Sequence, residues 1–295
     1  MKKILFVLLV GVITALCLWW VKSSTPVRRW SKDRVVVSGY VPYTLVRQIG
    51  GANLPIEMLL PPGTEPHSFE PAPGTLVAMQ QTPAFIYVSD RLEPWAKSVA
   101  AAAGANTRVL ELASGIDGEQ DPHIWMDFDT VRVLARRVEE LLAKINPQQA
   151  ATYRANLEQF EREIATLDKD FATGLANCDN REVVHVGHLA FGRLAKRYGL
   201  KLMALSGASH EGEHSARKLA DLVQHIRRQK MRALFTEDAV SPRLAETVAA
   251  ETGVDILSLY PIEHVTKNDF NREVSYAELM RRNLESLQRG LSCRK

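Results

Sequence analysis

Three histidines occupy segments in which an imidazole can be held and aimed. His67 lies in "EPHSFEPAPG" and His123 in "DPHIWMDFDT", each directly after a proline, and His188 lies in "HVGHLAFGRL". Proline fixes φ and removes a backbone donor, so the first two segments are loops of restricted shape. Neutral imidazole suits Zn²⁺, at about 2.0–2.1 Å, and is a poor match to Mg²⁺ or Ca²⁺.

Each of these histidines has an ordinary explanation when it is taken alone. A loop histidine is more often solvated than metal-bound, and His188 alone is equally well explained as a buried residue with satisfied hydrogen bonds. Three of them, two in the same Pro-His context, favour a metal site over coincidence.

The elements that must position these histidines are short apolar runs alternating with helical stretches. Such alternation is typical of an α/β fold in which helices cover both faces of a parallel sheet. The predicted strands are residues 34–39, 56–60, 84–89 and 108–112, then 182–186, 201–205, 232–236 and 255–259.

The histidines follow predicted strands in both halves of the chain. His67 and His123 come after strands of the first half, and His188 comes after the first strand of the second half. In parallel sheets, ligands collect at the carboxyl ends of the strands. We therefore expect the three imidazoles to meet in a cleft between two lobes.

A long amphipathic segment separates the two halves. Its apolar residues recur every three or four positions, which predicts one helix from 147 to 176, roughly 45 Å long, with Asn146 and Pro147 at its start. A coiled coil is the alternative. The predicted organisation is thus a first lobe over 34–146, a connecting helix over 147–176 and a second lobe over 177–295.

The chain begins with "MKKILFVLLVGVITALCLWWVKSS", in which two lysines precede an uncharged apolar run from Ile4 to Val21. This pattern predicts a signal peptide or an N-terminal anchor over 1–24, and therefore a periplasmic or other extracytoplasmic location. The basic residues that follow the run, Lys22 and Arg28 among them, argue against a retained anchor under the positive-inside rule.

The charge balance excludes one class of partner. The formal net charge of +3 falls to zero without residues 1–24, which carry three lysines and no acid. No basic stripe with interleaved aromatic residues is present, so nothing indicates nucleic-acid binding. Outside that segment only Cys178 and Cys293 remain, and a disulfide and two separate thiols are both open.

Four motifs together resemble a known family, the cluster A-I (zinc- and manganese-type) solute-binding proteins of ABC transporters. They are "EPHSFEPAPGTL", "DPHIWMD", "GHLAFGRLAKRYGL" and "ALFTEDAVSPRLAETVAAETGVDILSLYPI", and the resemblance covers about residues 34–290. It implies two lobes joined by a long rigid helix, a metal ion held between them, and a monomer that delivers the ion to a membrane permease.

The resemblance also implies that His67, His123 and His188 are metal ligands. The third ligand position carries a histidine, His188, and in this the chain resembles the zinc-binding branch of the family. Mn²⁺ is the alternative ion. The sequence departs from the family at the fourth ligand, where "LYPI" puts Tyr260 in place of an aspartate. A phenol has a pKa near 10 and is a poor anionic ligand. Tyr260 is our prediction for this position, and the alternatives are water, Glu237, Glu263 and His264.

Two further segments carry residues that suit a metal site. His210, Glu211, Glu213 and His214 crowd a glycine-containing loop, which is either a metal-gathering loop or an ordinary polar one. Asp127 either supports a ligand histidine or caps a helix, although we predict Asp129 as the N-cap of the helix after His123.

The function predicted from these features is capture of a transition-metal ion without chemical conversion. Two alternatives use the same three histidines: a metal-dependent surface adhesin, and a zinc hydrolase with Glu237 as general base. The hydrolase is disfavoured because the chain has neither a His-Glu-x-x-His helix nor a Gly-x-Ser-x-Gly elbow.

Overall fold

The computed structural model describes residues 34–116, 121–206, 216–237 and 242–294. Its first sheet contains four parallel strands in the order β2-β1-β3-β4. These strands are β1 (Val35–Val37), β2 (Ile56–Met58), β3 (Ala84–Tyr87) and β4 (Arg108–Glu111). Each lies within a predicted strand. The apolar runs form strands because the sheet is covered on both faces, so even its central residues are buried.

The second sheet repeats this arrangement. Its four parallel strands have the order β6-β5-β7-β8. They are β5 (Glu182–Val186), β6 (Lys201–Ala204), β7 (Ala233–Thr236) and β8 (Asp255–Ser258). In each sheet the second strand in sequence lies on one side of the first strand, and the third lies on the other side. This reversal of strand order opens a crevice at the carboxyl ends of the strands. The predicted two-lobe α/β fold is confirmed.

Ten α-helices surround the sheets in the part of the chain that the structure describes. They are α1 (Tyr40–Gly50), α2 (Pro73–Ala78), α3 (Ala96–Ala101), α4 (Phe128–Ile145), α5 (Ala150–Gly174), α6 (Gly192–Arg197), α7 (Ala216–Gln229), α8 (Pro242–Thr252), α9 (Lys267–Asn271) and α10 (Tyr276–Gly290). None of the described helices combines the length and the apolar character needed to cross a bilayer.

Helix α5 is the predicted connecting helix. Its 25 residues span about 37 Å. It starts three residues later than predicted because Pro147–Gln149 form a 3₁₀ turn, and the Asn146 side chain makes no capping hydrogen bond. Its buried face consists of the residues that the periodicity predicts: Tyr153, Leu157, Phe160, Ile164, Leu167 and Phe171.

Arg197, at the end of α6, joins three parts of the molecule. Its guanidinium lies 3.0 Å from Asp127 and 2.8 Å from Asp129 at the start of α4, and 2.5 Å from Asp168 on α5. The predicted N-cap, Asp129, is wrong: Asp127 accepts the Thr130 N–H at 2.8 Å, and Asp129 serves Arg197 instead. The second lobe is therefore tied by charge both to the first lobe and to the connecting helix.

Buried polar contacts also cross between the lobes. The Trp125 indole N–H donates to the Pro261 carbonyl at 2.7 Å, and the Tyr276 hydroxyl donates to the Trp125 carbonyl at 2.7 Å. Trp125 is fully buried in an apolar cluster that contains residues of both lobes. Since these contacts are shielded from water, they hold the two sheets in a fixed relation.

Cys178 and Cys293 form a disulfide across 115 residues of chain. It ties the segment after α5 to the end of the second lobe. Replacing both cysteines with serine should lower the free energy of unfolding by about 3–5 kcal/mol, because a loop of this length loses much conformational entropy when it is closed. Urea denaturation measures the effect, and wild-type protein reduced with dithiothreitol is the control. Equal midpoints for the oxidised protein and the double variant would contradict the prediction.

Candidate metal site

Four loops at the carboxyl ends of strands bring ligand-type side chains to one point. His67 follows β2, His123 follows β4, His188 follows β5 and Glu263 follows β8. One donor atom from each of these side chains lies within 4.8 Å of the others. Each lobe supplies two of the four groups. The expected meeting of the three imidazoles between the lobes is therefore what the structure shows.

The distances between these donor atoms are close to those of a tetrahedral metal site. Nε2 of His123 lies 3.0 Å from Nε2 of His188. Glu263 Oε2 lies 3.2 Å from His123 Nε2, and Glu263 Oε1 lies 3.1 Å from His188 Nε2. His67 Nε2 is 3.9 Å from Glu263 Oε2. Bonds of 2.0–2.1 Å in a tetrahedron put the donors about 3.3 Å apart. His67 therefore lies farther from Glu263 than the two inner imidazoles do.

Two carboxylates orient the inner imidazoles. Nδ1 of His123 is 2.9 Å from Asp121 Oδ1, and Nδ1 of His188 is 2.9 Å from Glu237 Oε1. Each carboxylate also accepts the backbone N–H of the same histidine, at 3.0 and 2.9 Å. A carboxylate on Nδ1 keeps the proton there and directs the Nε2 lone pair towards the site.

Sequence reasoning did not identify Asp121 as a supporting residue, although a local signal exists. The segments "EPH" and "DPH" both place an acid two residues before the histidine. In each case that acid accepts the histidine N–H, Glu65 for His67 at 3.1 Å and Asp121 for His123 at 3.0 Å. The repeated acid-Pro-His pattern thus marks a turn that presents an imidazole. Glu237 carries no comparable signal, because its partner His188 is 49 residues away in sequence.

The His67 loop is anchored by a buried tryptophan. The Trp95 indole N–H donates to the Pro66 carbonyl at 2.9 Å, next to His67 in sequence. The His67 side chain is 9% exposed, whereas those of His123 and His188 are fully buried. The cluster therefore opens to solvent on the side of His67.

Glu263 reaches the site through an unusual backbone conformation. Ile262 is buried and has φ of 67°, a left-handed value that is a true outlier for a β-branched residue. The loop before it is fixed by Asn283, whose side chain accepts the Tyr260 N–H at 2.7 Å and donates to the Tyr260 carbonyl at 2.9 Å. The chain turns at Ile262, so the next side chain, Glu263, enters the cluster.

Tyr260 stays a prediction for the fourth position, and among the described histidines and acidic residues Glu263 is the one that adds a donor to the three imidazoles. The Tyr260 ring faces the Arg282 guanidinium, 5.8 Å from the ring centroid. The turn at Ile262 places the side chain three residues later, Glu263, in the cluster. Of the alternatives, Glu263 is inside the group, Glu237 supports His188, and His264 lies beside Glu263 without joining the group. The segment from His210 to His214 lies outside the described residues.

The electrostatics of the cluster favour a bound cation. Burial raises the pKa of Glu263, but contact with His188 and His123 outweighs this and holds it well below its usual range. Burial lowers the pKa of His188, yet Glu263 and Glu237 raise it to about 10. Both Glu263 oxygens are buried, and each lies against the Nε2 of an inner histidine. A buried carboxylate facing three imidazole nitrogens is a donor set that suits a divalent transition metal.

The chain matches the family model for "ZnuA: Zinc-uptake complex component A periplasmic" over residues 35–290. The chain belongs to the ZnuA family. The ZnuA description names a component of an uptake complex and not an enzyme, in agreement with our prediction of a protein that performs no catalysis.

Relatives of this ZnuA-family chain carry related descriptions. The "Zinc-binding protein AdcA" of Streptococcus pyogenes serotype M18 is 27% identical in an alignment 317 residues long, which covers 97% of this chain. That alignment covers 61% of AdcA, so the chain spans less than two thirds of its relative. Two solved structures, each 28% identical, cover 88% of this chain and 99% of their own.

Both solved structures have high structural similarity to this member of the ZnuA family. One is the Zn(II)-bound ZnuA-like domain of Streptococcus pneumoniae AdcA, with a TM-score of 0.77. The other is the laminin-binding protein Lmb of Streptococcus agalactiae, described as "a bifunctional protein with adhesin and metal transporting activity", with a TM-score of 0.79. Both support the two-lobe fold.

A further buried carboxyl, Glu93, follows β3 and predicts a pH effect on stability. It is 1% exposed, accepts the Val88 N–H at 2.8 Å, and burial raises its pKa to about 7 from 4.5. The folded state therefore keeps a proton that the unfolded state has lost between about pH 4.5 and 7. This contribution is present below pH 4.5 and is lost as the pH rises through 7.

Replacing Glu93 with glutamine should remove this dependence. Relative to wild type, metal-free Glu93→Gln should gain on the order of 3 kcal/mol in unfolding free energy between pH 4.5 and 7.5. Urea denaturation at both pH values gives this difference, and the exposed Glu70→Gln serves as the control. A variant that keeps the wild-type pH slope would show that Glu93 ionises normally.

Proposed function

We propose that this protein captures a zinc ion between its lobes and delivers it to an ABC permease for import. The observation that carries the proposal is the convergence of His67, His123, His188 and Glu263 from four strand ends. The family description and the zinc-binding relatives support the same cargo. We further propose that the protein works as a monomer, in the periplasm or another extracytoplasmic location, with residues 1–24 as its signal peptide or anchor.

Zinc fits the proposed ligands better than manganese does. Three nitrogen donors and one carboxylate oxygen are typical of zinc, whereas manganese is better served by sites rich in oxygen. Glu263 also neutralises one of the two charges of the ion, which three neutral histidines alone leave uncompensated. Asp121 and Glu237 place two more negative charges behind the imidazoles.

Release of the ion should depend on local loop movement. The connecting helix α5, the Arg197 contacts and the buried Trp125 contacts all resist rotation of one lobe against the other. The His67 loop is the part of the site nearest solvent. We therefore propose that this loop opens for exchange, and nearly identical lobe orientations with and without zinc would support this.

An adhesin function is a second candidate, because Lmb shares the fold and is described as having both adhesin and metal-transporting activities. The same metal site serves either function. The geometry gives less support to a hydrolase. Glu237, the candidate general base, is held against His188 Nδ1 and does not lie on the metal-facing Nε2 side.

Titration of zinc and manganese against a competing chromogenic chelator tests the proposed cargo. We expect one zinc ion per chain, held tightly enough to compete with the chelator, and much weaker binding of manganese. Stronger binding of manganese would support the manganese-binding alternative. Absence of tight binding for both metals would contradict a transport function.

A further inference from the structure

His264 has a buried polar atom that the four-residue cluster does not use. Its side chain is 6% exposed, and its Nδ1 lies 3.6 Å from Glu263 Oε1, slightly beyond ordinary hydrogen-bond length. His264 itself is not one of the four converging residues. A buried donor atom thus faces a cluster carboxylate from outside without a close hydrogen bond of its own.

The exposure of the surrounding side chains gives the direction in which an ion enters. His123, His188 and Glu263 have no exposed side-chain surface. The values rise to 6% for His264, 9% for His67 and 25% for Glu65. Asp121, 26% exposed, lies on the Nδ1 side of His123, so on the donor side of the cluster these last three residues carry the exposed surface.

His67 lies between an inner and an outer carboxylate. Its Nε2 is 3.9 Å from Glu263 Oε2 and 3.8 Å from Glu65 Oε1. His264 Nδ1 lies 3.6 Å from the other carboxylate oxygen of Glu263, Oε1. Glu65 therefore contacts His67, and His67 and His264 both lie beside Glu263 on the more exposed side of the cluster.

We propose that Glu65, His67 and His264 form an outer metal position through which zinc passes between solvent and the inner site. This inference rests on the proposed function. His67 belongs to both positions, so an ion can exchange its other ligands in steps and retain at least one protein donor. Stepwise exchange lowers the barrier in both directions. The outer residues should therefore accelerate zinc entry and zinc release by the same factor.

Stopped-flow measurement of zinc binding and of chelator-induced release tests this inference. With the purified full chain, His264→Gln and Glu65→Gln should each lower the association and dissociation rate constants by the same factor, about tenfold, which corresponds to about 1.4 kcal/mol in the exchange barrier and leaves the affinity unchanged. Glutamine at 65 retains a carbonyl oxygen for the His67 N–H. Matched controls are His225→Gln on α7 and Glu70→Gln on the same loop, and both should keep wild-type rates.

Two results would overturn the proposal. Unchanged rate constants would show that zinc does not pass these residues, and a rise in the dissociation rate alone would show that they support the inner site. Either result with tight wild-type binding leaves the proposed function intact. If wild-type protein fails to bind zinc, the proposed function itself is contradicted.

A second experiment isolates the outer position. In His188→Ala the inner set is incomplete, and the weak zinc binding that remains should fall about tenfold further when His264→Gln is added. Adding His225→Gln should cause no such loss, and circular dichroism checks that each variant is folded. Residual binding that is indifferent to His264 would contradict an outer site.

Discussion

Replacing His188 with alanine should weaken zinc binding by at least about a hundredfold, at or above the upper end of the range for residues that only support ligands. The fully buried imidazole supplies one of the four converging donor atoms. Its loss also leaves the buried Glu237 carboxylate with one partner fewer, which makes the metal-free protein less stable. Competition with a zinc chelator gives the affinity ratio directly.

The matched control for this prediction is His225→Ala. His225 is on α7, where its Nε2 lies 2.9 Å from Glu182, and it has no part in the cluster. It should bind zinc as wild type does. Urea denaturation of both metal-free variants separates loss of a ligand from loss of folding. If His188→Ala is folded and still binds zinc with wild-type affinity, the assignment of this ligand is wrong.

Glu263→Gln should lower the zinc affinity by a similar factor, about a hundredfold, because it removes the one anionic donor of the cluster while keeping the shape of the side chain. Three imidazoles and an amide leave the full charge of the ion without compensation in a buried site. Calorimetric titration of the variant measures the change.

Tyr260→Phe distinguishes the two candidates for the fourth position. The Tyr260 ring faces Arg282, and the backbone of Tyr260, not its hydroxyl, holds the loop through Asn283. The variant should therefore bind zinc with wild-type affinity. A greater loss from Tyr260→Phe than from Glu263→Gln would return the tyrosine to the fourth position.

Most of the fold could be predicted from sequence because its signals are local. Buried parallel strands read as short apolar runs, and the exposed and buried faces of α5 give a clear helical period. The three histidines could be grouped because each follows a strand, and the carboxyl ends of parallel strands meet at one edge. These inferences need no knowledge of how distant side chains pack.

The remaining features depend on geometry that periodicity does not contain. Glu263 reaches the cluster because Ile262 adopts a left-handed conformation, which a β-branched residue rarely does. Asp127 rather than Asp129 caps α4 because the helix begins at Phe128, while Arg197 from the other lobe contacts both carboxylates. Glu237 supports His188 across 49 residues of sequence. These features depend on backbone conformation and tertiary contacts that sequence spacing cannot show.

The equal division of donors between the lobes has a consequence for biogenesis. A chain in which only one sheet has formed offers two of the four donor groups, His67 with His123 or His188 with Glu263. Two donors hold an ion far more weakly than four. The proposed zinc site is therefore complete only when both sheets have formed and docked, so we expect zinc to stabilise the two-lobe structure over a chain in which one half is unfolded.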